Sequence, residues 1–280
     1  MQELAKFFTE RTYRTLCATG GEAAFGELAD RYADVDEKTT NAEVIEALYA
    51  ALSSSYRNEY FYQNTLFNTL LLGIHSPATT TALAQLHIRS SIADLVLVND
   101  EAVVYEIKSE LDNLDRLDRQ IENYYTAFSK VCIVAPQASF PLLYERYKDT
   151  PVGIRVLTKR NTFSRSDGKH PIEDRSHLTH RSLFSLLRKA EYEAVVTTYF
   201  GSLPEVSQVA HYRACLARFC TIPITEAYPR VLQQLRSRRP ASAEALHHIP
   251  YPLRSLAYFC NKPALDPARL SSFLERPYRR

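Results

Sequence analysis

The sequence contains no tryptophan, one methionine and only 7 glycines among 280 residues. So little glycine excludes a collagen-like or Gly-rich low-complexity chain. Its 5 cysteines are an odd number and none forms a Cys-x-x-Cys pair. A disulfide framework or zinc ribbon is therefore not expected, and a reducing cytoplasm fits best. No Gly-rich phosphate loop and no Gly-x-Ser-x-Gly elbow occurs, which removes support for NTPase and α/β-hydrolase readings. Apolar runs are short. Thr69-Leu-Leu-Leu-Gly-Ile74 is among the longest, far below the ~20 residues that span a bilayer. Met1-Gln-Glu-Leu-Ala-Lys6 lacks a basic run followed by an apolar one, so no secretory signal is expected. There is no internal repeat.

What is present is ordinary globular composition, 45% hydrophobic and 24% charged, in a length sufficient for one elaborated domain or two modest ones. The net charge of +2 hides an asymmetry. Residues 1–150 sum to −9 and residues 151–280 to +11. This suggests a half that binds anions and a half able to hold a cation.

Helical spacing runs over 41–54 (Val44, Ile45, Leu48, Leu52) and 56–72, with Gly73 as a stop. Three β-type runs follow: a weak one at 81–87, then Ile92–Val98 and Ala102–Lys108 around a tight turn at Asn99-Asp100-Glu101. Helical spacing returns over 112–128 and 140–147, with strands at 131–135 and 154–157. The order α-α-β-β-β-α-β-α-β indicates a mixed α/β unit with a parallel crossover. Residues 159–177 read as a polar loop, and beyond them come basic helices over 180–199, 205–220, 224–238, 242–259 and 266–275, the last opened by Asp266-Pro267. The expected division is a helical extension 1–40, an α/β core 41–158, a linker 159–178 and a basic helical region 179–280.

The hairpin carries the informative residues. Asp94 interrupts an otherwise apolar strand, and Glu106 and Lys108 point to one face of the next. Buried charges on core strands are costly unless paired or metal-bound. Two close carboxylates suit a hard divalent cation, and a neighbouring lysine suits metal-assisted phosphodiester hydrolysis. Surface charges on a pair of edge strands are the plainer alternative. The following helix bears Gln120 and Tyr124 on one face, and the preceding one bears Glu59 within Arg57-Asn-Glu-Tyr60.

This pattern resembles the PD-(D/E)xK nuclease superfamily: an acidic helix, an antiparallel meander with Asp and Glu-x-Lys, a helix, then a strand. Gln-x-x-x-Tyr resembles the element of the RecB-like branch. Arg57–Tyr60 and Tyr105–Asp112 resemble an uncharacterised bacterial branch. The resemblance covers about 41–158 and implies a restriction-endonuclease-like core. It implies Asp94, Glu106 and the Ile107 carbonyl as ligands of Mg²⁺ or Mn²⁺, and Lys108 as the water-activating or charge-stabilising residue. Glu59 becomes an auxiliary acid, and Gln120 and Tyr124 line the site. Ala93 stands where the name-giving Pro would be.

Other candidates have plainer readings. Asp112, Asp115 and Asp118 read as a solvated acidic face or a second metal site, and Arg116 and Arg119 as phosphate contacts or partners of those acids. His170, His177 and His180 near Glu173 and Asp174 fit no regular zinc spacing. Arg236, Arg238, Arg239, Arg276, Arg279 and Arg280, with interleaved Tyr192, Tyr199, Phe200, Tyr212, Phe219, Tyr228, Tyr251 and Tyr258, suit a nucleic-acid clamp. They equally suit a solvated helical core or a basic patch facing the acidic half. The expected activity is a metal-dependent nuclease acting on DNA before RNA, with no membrane partner. The helical C-terminal region would be the surface for a second copy or a protein partner. The alternative is a catalytically silent nuclease-fold module in a bacterial defence or mobile-element system.

Overall fold

A computed structural model describes residues 2–19, 23–238, 243–260 and 267–278. The expected Asp266 cap, Arg239, Arg279 and Arg280 lie outside the described residues. The chain divides into two compact units that cut across the expected boundaries. One comprises Met1–Ala78, Ser109–Leu111 and Pro240–Arg280, and the other Thr79–Lys108 and Asp112–Arg239.

The first unit is helical: α1 (Gln2–Phe7), α2 (Glu10–Thr19), α3 (Ala23–Tyr32), α4 (Asn41–Ser55) and α5 (Glu59–Phe67) come from the N-terminal part. Thr40 and Glu43 form a capping box that starts α4, satisfying N–H groups left unpaired at a helix start. Val44, Ile45, Leu48 and Leu52 are its buried face, as their spacing requires. Asn58 caps α5 by accepting from the Phe61 N–H, so that helix starts later than expected. It then passes into a π-helical stretch, Asn68–Ile74, which contains Gly73. Segments near the C-terminus complete this unit. Asn41 donates to the Phe273 carbonyl (2.9 Å), and Thr40 and Pro277 form a β-bridge.

The second unit is an α/β fold with a six-stranded mixed sheet in the order β1-β2-β3-β4-β5-β6, flanked by helices and followed by a helical region. The strands are β1 (Thr81–Ile88), β2 (Ser91–Val98), β3 (Ala102–Ile107), β4 (Lys130–Pro136), β5 (Gly153–Leu157) and β6 (Phe163–Lys169). β1 to β3 form an antiparallel meander, β3-β4 and β4-β5 are parallel, and β6 is antiparallel to β5. The parallel pairs enclose α6 (Leu117–Tyr125) and α7 (Phe140–Tyr147) as crossovers.

β6 corrects the expectation of a linker over 159–178. It is a polar edge strand whose one large apolar residue is Phe163. An edge strand buries too little to show apolar alternation. The expected helix 180–199 is two, α8 (His180–Ser185) and α9 (Lys189–Phe200). α10 (Gln208–Phe219) and α11 (Ile224–Arg236) follow. The expected helix over 242–259 becomes short 3₁₀ turns around Pro250 and Pro252, then α12 (Arg254–Phe259). Pro252 itself has no N–H to donate to a helix. The final helix is α13 (Pro267–Glu275).

Leu183, Phe184, Val195, Val196, Phe219, Tyr228 and Val231 join Val96, Val104, Ile121 and Ile133 in one buried cluster. Helices of the basic region up to α11 are thus part of the sheet's own core. Charge and polarity mark a helix's solvated side, not the partner of its apolar side, so the expected boundary at 178 does not separate compact units.

Candidate functional site

β3 places Ala102, Val104 and Glu106 on one face. The first two are apolar members of the core cluster. Glu106 extends that row as a carboxylate only 2% exposed. Lys108 lies one residue past the strand, 9% exposed, and its backbone N–H still donates to the Val134 carbonyl at 2.8 Å. The strand alternation therefore continues through it, and Lys108 Nζ donates to Glu106 Oε1 at 2.8 Å.

The crossover helix α6 supplies the remaining partners. Gln120 Nε2 donates to Glu106 Oε1 at 2.5 Å, and Gln120 Oε1 accepts from Lys108 Nζ at 3.0 Å. Lys108, Glu106 and Gln120 thus close a triangle. Tyr124, one turn along the same face, has its hydroxyl proton within reach of Glu106 Oε2 (2.5 Å) and the Ile92 carbonyl (2.8 Å). Burial above all, then the charge of Glu106 and its hydrogen bond, then the charge of Asp94, push ionisation of this hydroxyl far above its ordinary range. Tyr124 is accordingly a fixed proton donor.

Asp94 is half-buried. The β2–β3 pairing sets Leu95 opposite Tyr105, and one further step along that register puts Asp94 opposite Glu106. Asp94 Oδ2 accepts the Ile107 N–H at 2.7 Å, so a carboxylate takes this amide where the regular ladder stops. On the other side of β2, pairing passes from Ala84–Leu95 to Leu86–Ala93. Gln85, the residue between, has φ of 52°, a conformation that costs non-glycine residues free energy and recurs at functional sites.

Asp94, Glu106, Ile107, Lys108, Gln120 and Tyr124 thus belong to one unit, and hydrogen bonds link Glu106 to Lys108, Gln120 and Tyr124, and Asp94 to Ile107. Glu59 belongs to the helical unit, where it is the exposed first residue of α5.

Two interactions were not anticipated from sequence. Within the helical unit, Glu110 pairs with Arg57, whose Nε donates to Oε1 at 2.9 Å, and accepts from the Tyr62 hydroxyl at 2.9 Å. Arg57 lies in the segment Arg57–Tyr60 and Glu110 in Tyr105–Asp112, and no spacing in the sequence signals that they pair. The Ile92 carbonyl, a backbone group with no residue-type signal, is the second.

Several side candidates resolve as structure. Asp118 is held by Arg146 (2.5 Å) and Tyr147, bonds that keep its carboxyl below the usual range. Arg119 donates to Ser90. His180 Nε2 donates to the Ile222 carbonyl at 2.6 Å. Among the described residues no group of three or more His, Cys, Asp or Glu is arranged to hold a metal ion. No helix among them is long and apolar enough to cross a membrane.

Arg236 pairs with Asp100 (2.6 Å) and Arg238 with Glu191 (2.5 Å), so part of the basic run faces acids of its own unit. Tyr192, Phe219, Tyr228 and Tyr258 are buried, whereas Phe200, Tyr212 and Tyr251 are exposed.

Residues 52–238, about two-thirds of the chain, match the family described as Bacteriophage P4 protein cII. No curated protein and no solved structure matches the chain. The family match runs through the whole sheet, its crossover helices and α8 to α11. The chain belongs to the bacteriophage P4 protein cII family.

Proposed function

We propose that this protein is a divalent-metal-dependent nuclease of the PD-(D/E)xK type, hydrolysing phosphodiester bonds of DNA in preference to RNA. The observation that carries this reading is the Lys108–Glu106–Gln120 triangle on β3 and α6, whose Glu106 and Lys108 are buried, with Asp94 opposite Glu106 on β2.

The donor set is two carboxylates and the Ile107 carbonyl. It fits Mg²⁺ or Mn²⁺, since Mg²⁺ is commonly held by one or two carboxylates with water and substrate phosphate in the other positions. It contains no histidine or thiolate, the ligands that dominate zinc sites. A bound ion would supply charge neutralisation at the phosphoryl oxygens and lower the pKa of a coordinated water.

The chain's own residues do the positioning. The Ile107 N–H fixes Asp94, while Lys108, Gln120 and Tyr124 fix both oxygens of Glu106. Lys108 carries the positive charge that would offset charge developing on the phosphoryl group or orient an attacking water. Gln120 bonds both members of that pair and holds their spacing. Glu59 carries no step here.

A second reading is a catalytically silent nucleic-acid-binding module, in keeping with a mobile-element setting. One observation favours it: both oxygens of Glu106 are already engaged by protein donors.

The test is incubation of purified protein with plasmid, linear duplex, single-stranded DNA and RNA, with Mg²⁺, Mn²⁺ or EDTA. Metal-dependent cleavage lost in Glu106→Gln and Lys108→Ala supports the nuclease. Cleavage that persists in both variants sinks it. No cleavage, no heat of metal binding and nucleic-acid affinity unchanged by Asp94→Asn select the silent module.

A further inference from the structure

The sheet-bearing unit has an open cavity of about 540 Å³, lined by Arg89, Thr179, His180, Arg181, Ser182 and Ser185. No carboxylate is among these residues. Arg89 and Arg181 are exposed. Unlike Arg146, Arg236 and Arg238 of the same unit, neither forms an ion pair among the described residues. The hydroxyl wall is held by its own bonds: Thr179 Oγ1 donates to Ser182 Oγ at 2.9 Å, and Ser185 Oγ to the Ser182 carbonyl at 2.8 Å. The two guanidiniums are therefore the charged groups of this lining that have no carboxylate beside them and can meet an anion.

The position of Arg89 is informative. It opens the two-residue turn Arg89–Ser90 between paired Ile88 and Ser91, with φ of 56°. Such a turn is best served by Asn, Asp or Gly. Turn geometry does not account for an arginine there, whereas an anion-facing role does.

The turn is also anchored to the site helix. Asn123 Nδ2 donates to Ser91 Oγ (2.8 Å) and Ser90 Oγ (3.2 Å), and Arg119 to Ser90 Oγ (3.3 Å). These α6 residues immediately precede Tyr124 and Gln120. Asp94 lies on β2, five residues beyond Arg89, so at about 3.3 Å per extended residue the two are at most roughly 16 Å apart. One DNA strand carries a phosphate about every 3.4 Å of helix axis, so the separation is at most about five phosphates along a duplex.

We propose that Arg89 and Arg181 form a sequence-independent phosphate-backbone site, gripping one nucleic-acid strand a few nucleotides from the Asp94–Glu106–Lys108 cluster. The proposal rests on the nucleic-acid part of the functional reading and does not require catalysis. Guanidiniums engage phosphate through paired donors, and such contacts set register without reading bases.

The test is fluorescence anisotropy of the full chain with labelled duplex and single-stranded DNA in EDTA, over a salt series. The variants are Arg89→Asn, Arg181→Gln and the pair. Arg89→Asn suits the turn, so its thermal midpoint should equal or exceed that of the wild type while binding weakens. Each variant should lose about 5- to 8-fold in affinity at 0.1 M salt, and the pair about 25- to 60-fold. The log–log salt slope should become shallower by about 1.4 to 1.8 in the pair. Wild-type affinity and slope in the double variant overturn the proposal. So does saturable binding of inorganic phosphate or a mononucleotide that is lost in the double variant while DNA affinity is unchanged, which identifies a discrete phosphate ligand instead. Cleavage with metal is read separately. Arginine-dependent binding without cleavage keeps this site and removes the nuclease reading. Cleavage whose KM and affinity ignore both arginines does the reverse.

Discussion

Replacing Lys108 by methionine keeps most of the side-chain volume and removes one charge of a pair that the protein has withdrawn from water. The partners are 2.8 Å apart, and Glu106 is 2% and Lys108 9% exposed. At an effective dielectric near 20 their gross attraction is about 6 kcal/mol. Desolvating two ions costs several kcal/mol each, so the net contribution of the intact pair is small. Breaking it is a different matter, because one buried charge is left without its counterpart. Lys108→Met and Glu106→Gln should therefore each cost about 3–5 kcal/mol. The double variant should cost at least about 2 kcal/mol less than the sum of the singles, because it leaves no charge behind. Urea unfolding measures this directly. With the slope unchanged, each single variant should lower the midpoint by about 1 M or more. Costs that add to within about 0.5 kcal/mol would mean that the two charges are solvated separately, and would refute the reasoning.

Two further outcomes follow from packing and charge elsewhere in the same unit. Burial pushes the Glu191 carboxyl up, but the side-chain bonds from Arg238 and the Arg188 N–H outweigh it and hold the carboxyl below its ordinary range. A depressed folded-state value means the stabilisation is present above the unfolded carboxylate pKa of about 4.3 and is lost as pH falls through the folded value. Arg238→Met should thus destabilise by about 2–4 kcal/mol at pH 7, and the gap from wild type should narrow below about pH 4 in pH-dependent unfolding. Gly168 has φ of 139°, and an added Cβ would lie 2.8 Å from the Ile154 carbonyl oxygen, whereas Gly201 has φ of 81° with open space around it. Gly168→Ala should cost about 2 kcal/mol or more and Gly201→Ala about 1 kcal/mol. Equal midpoint shifts in thermal unfolding would contradict the close approach.

Legibility differed between elements for physical reasons. β2 and β3 were readable because each presents a dense apolar run, and Glu106 and Lys108 share a face because a strand repeats every two residues. β6 was not, since a polar edge strand is recognised only by its partner β5. The break between α8 and α9 falls at Leu186 and Leu187, both buried, and an apolar run of this kind fits one long helix as well as two short ones. The family of the sheet-bearing region rests on the match across residues 52–238, whereas the chemistry assigned to its buried cluster is the proposal made above.

By itself the sequence determined the order of elements from α4 to β5 and the face on which Glu106 and Lys108 stand, because both depend on local periodicity. Tertiary structure decided what those residues meet. The crossover from β3 to β4 returns Gln120 and Tyr124, 14 and 18 residues after Glu106, onto its two oxygens. It also decided which unit each basic helix joins, since burying an apolar face requires a partner that no local spacing names.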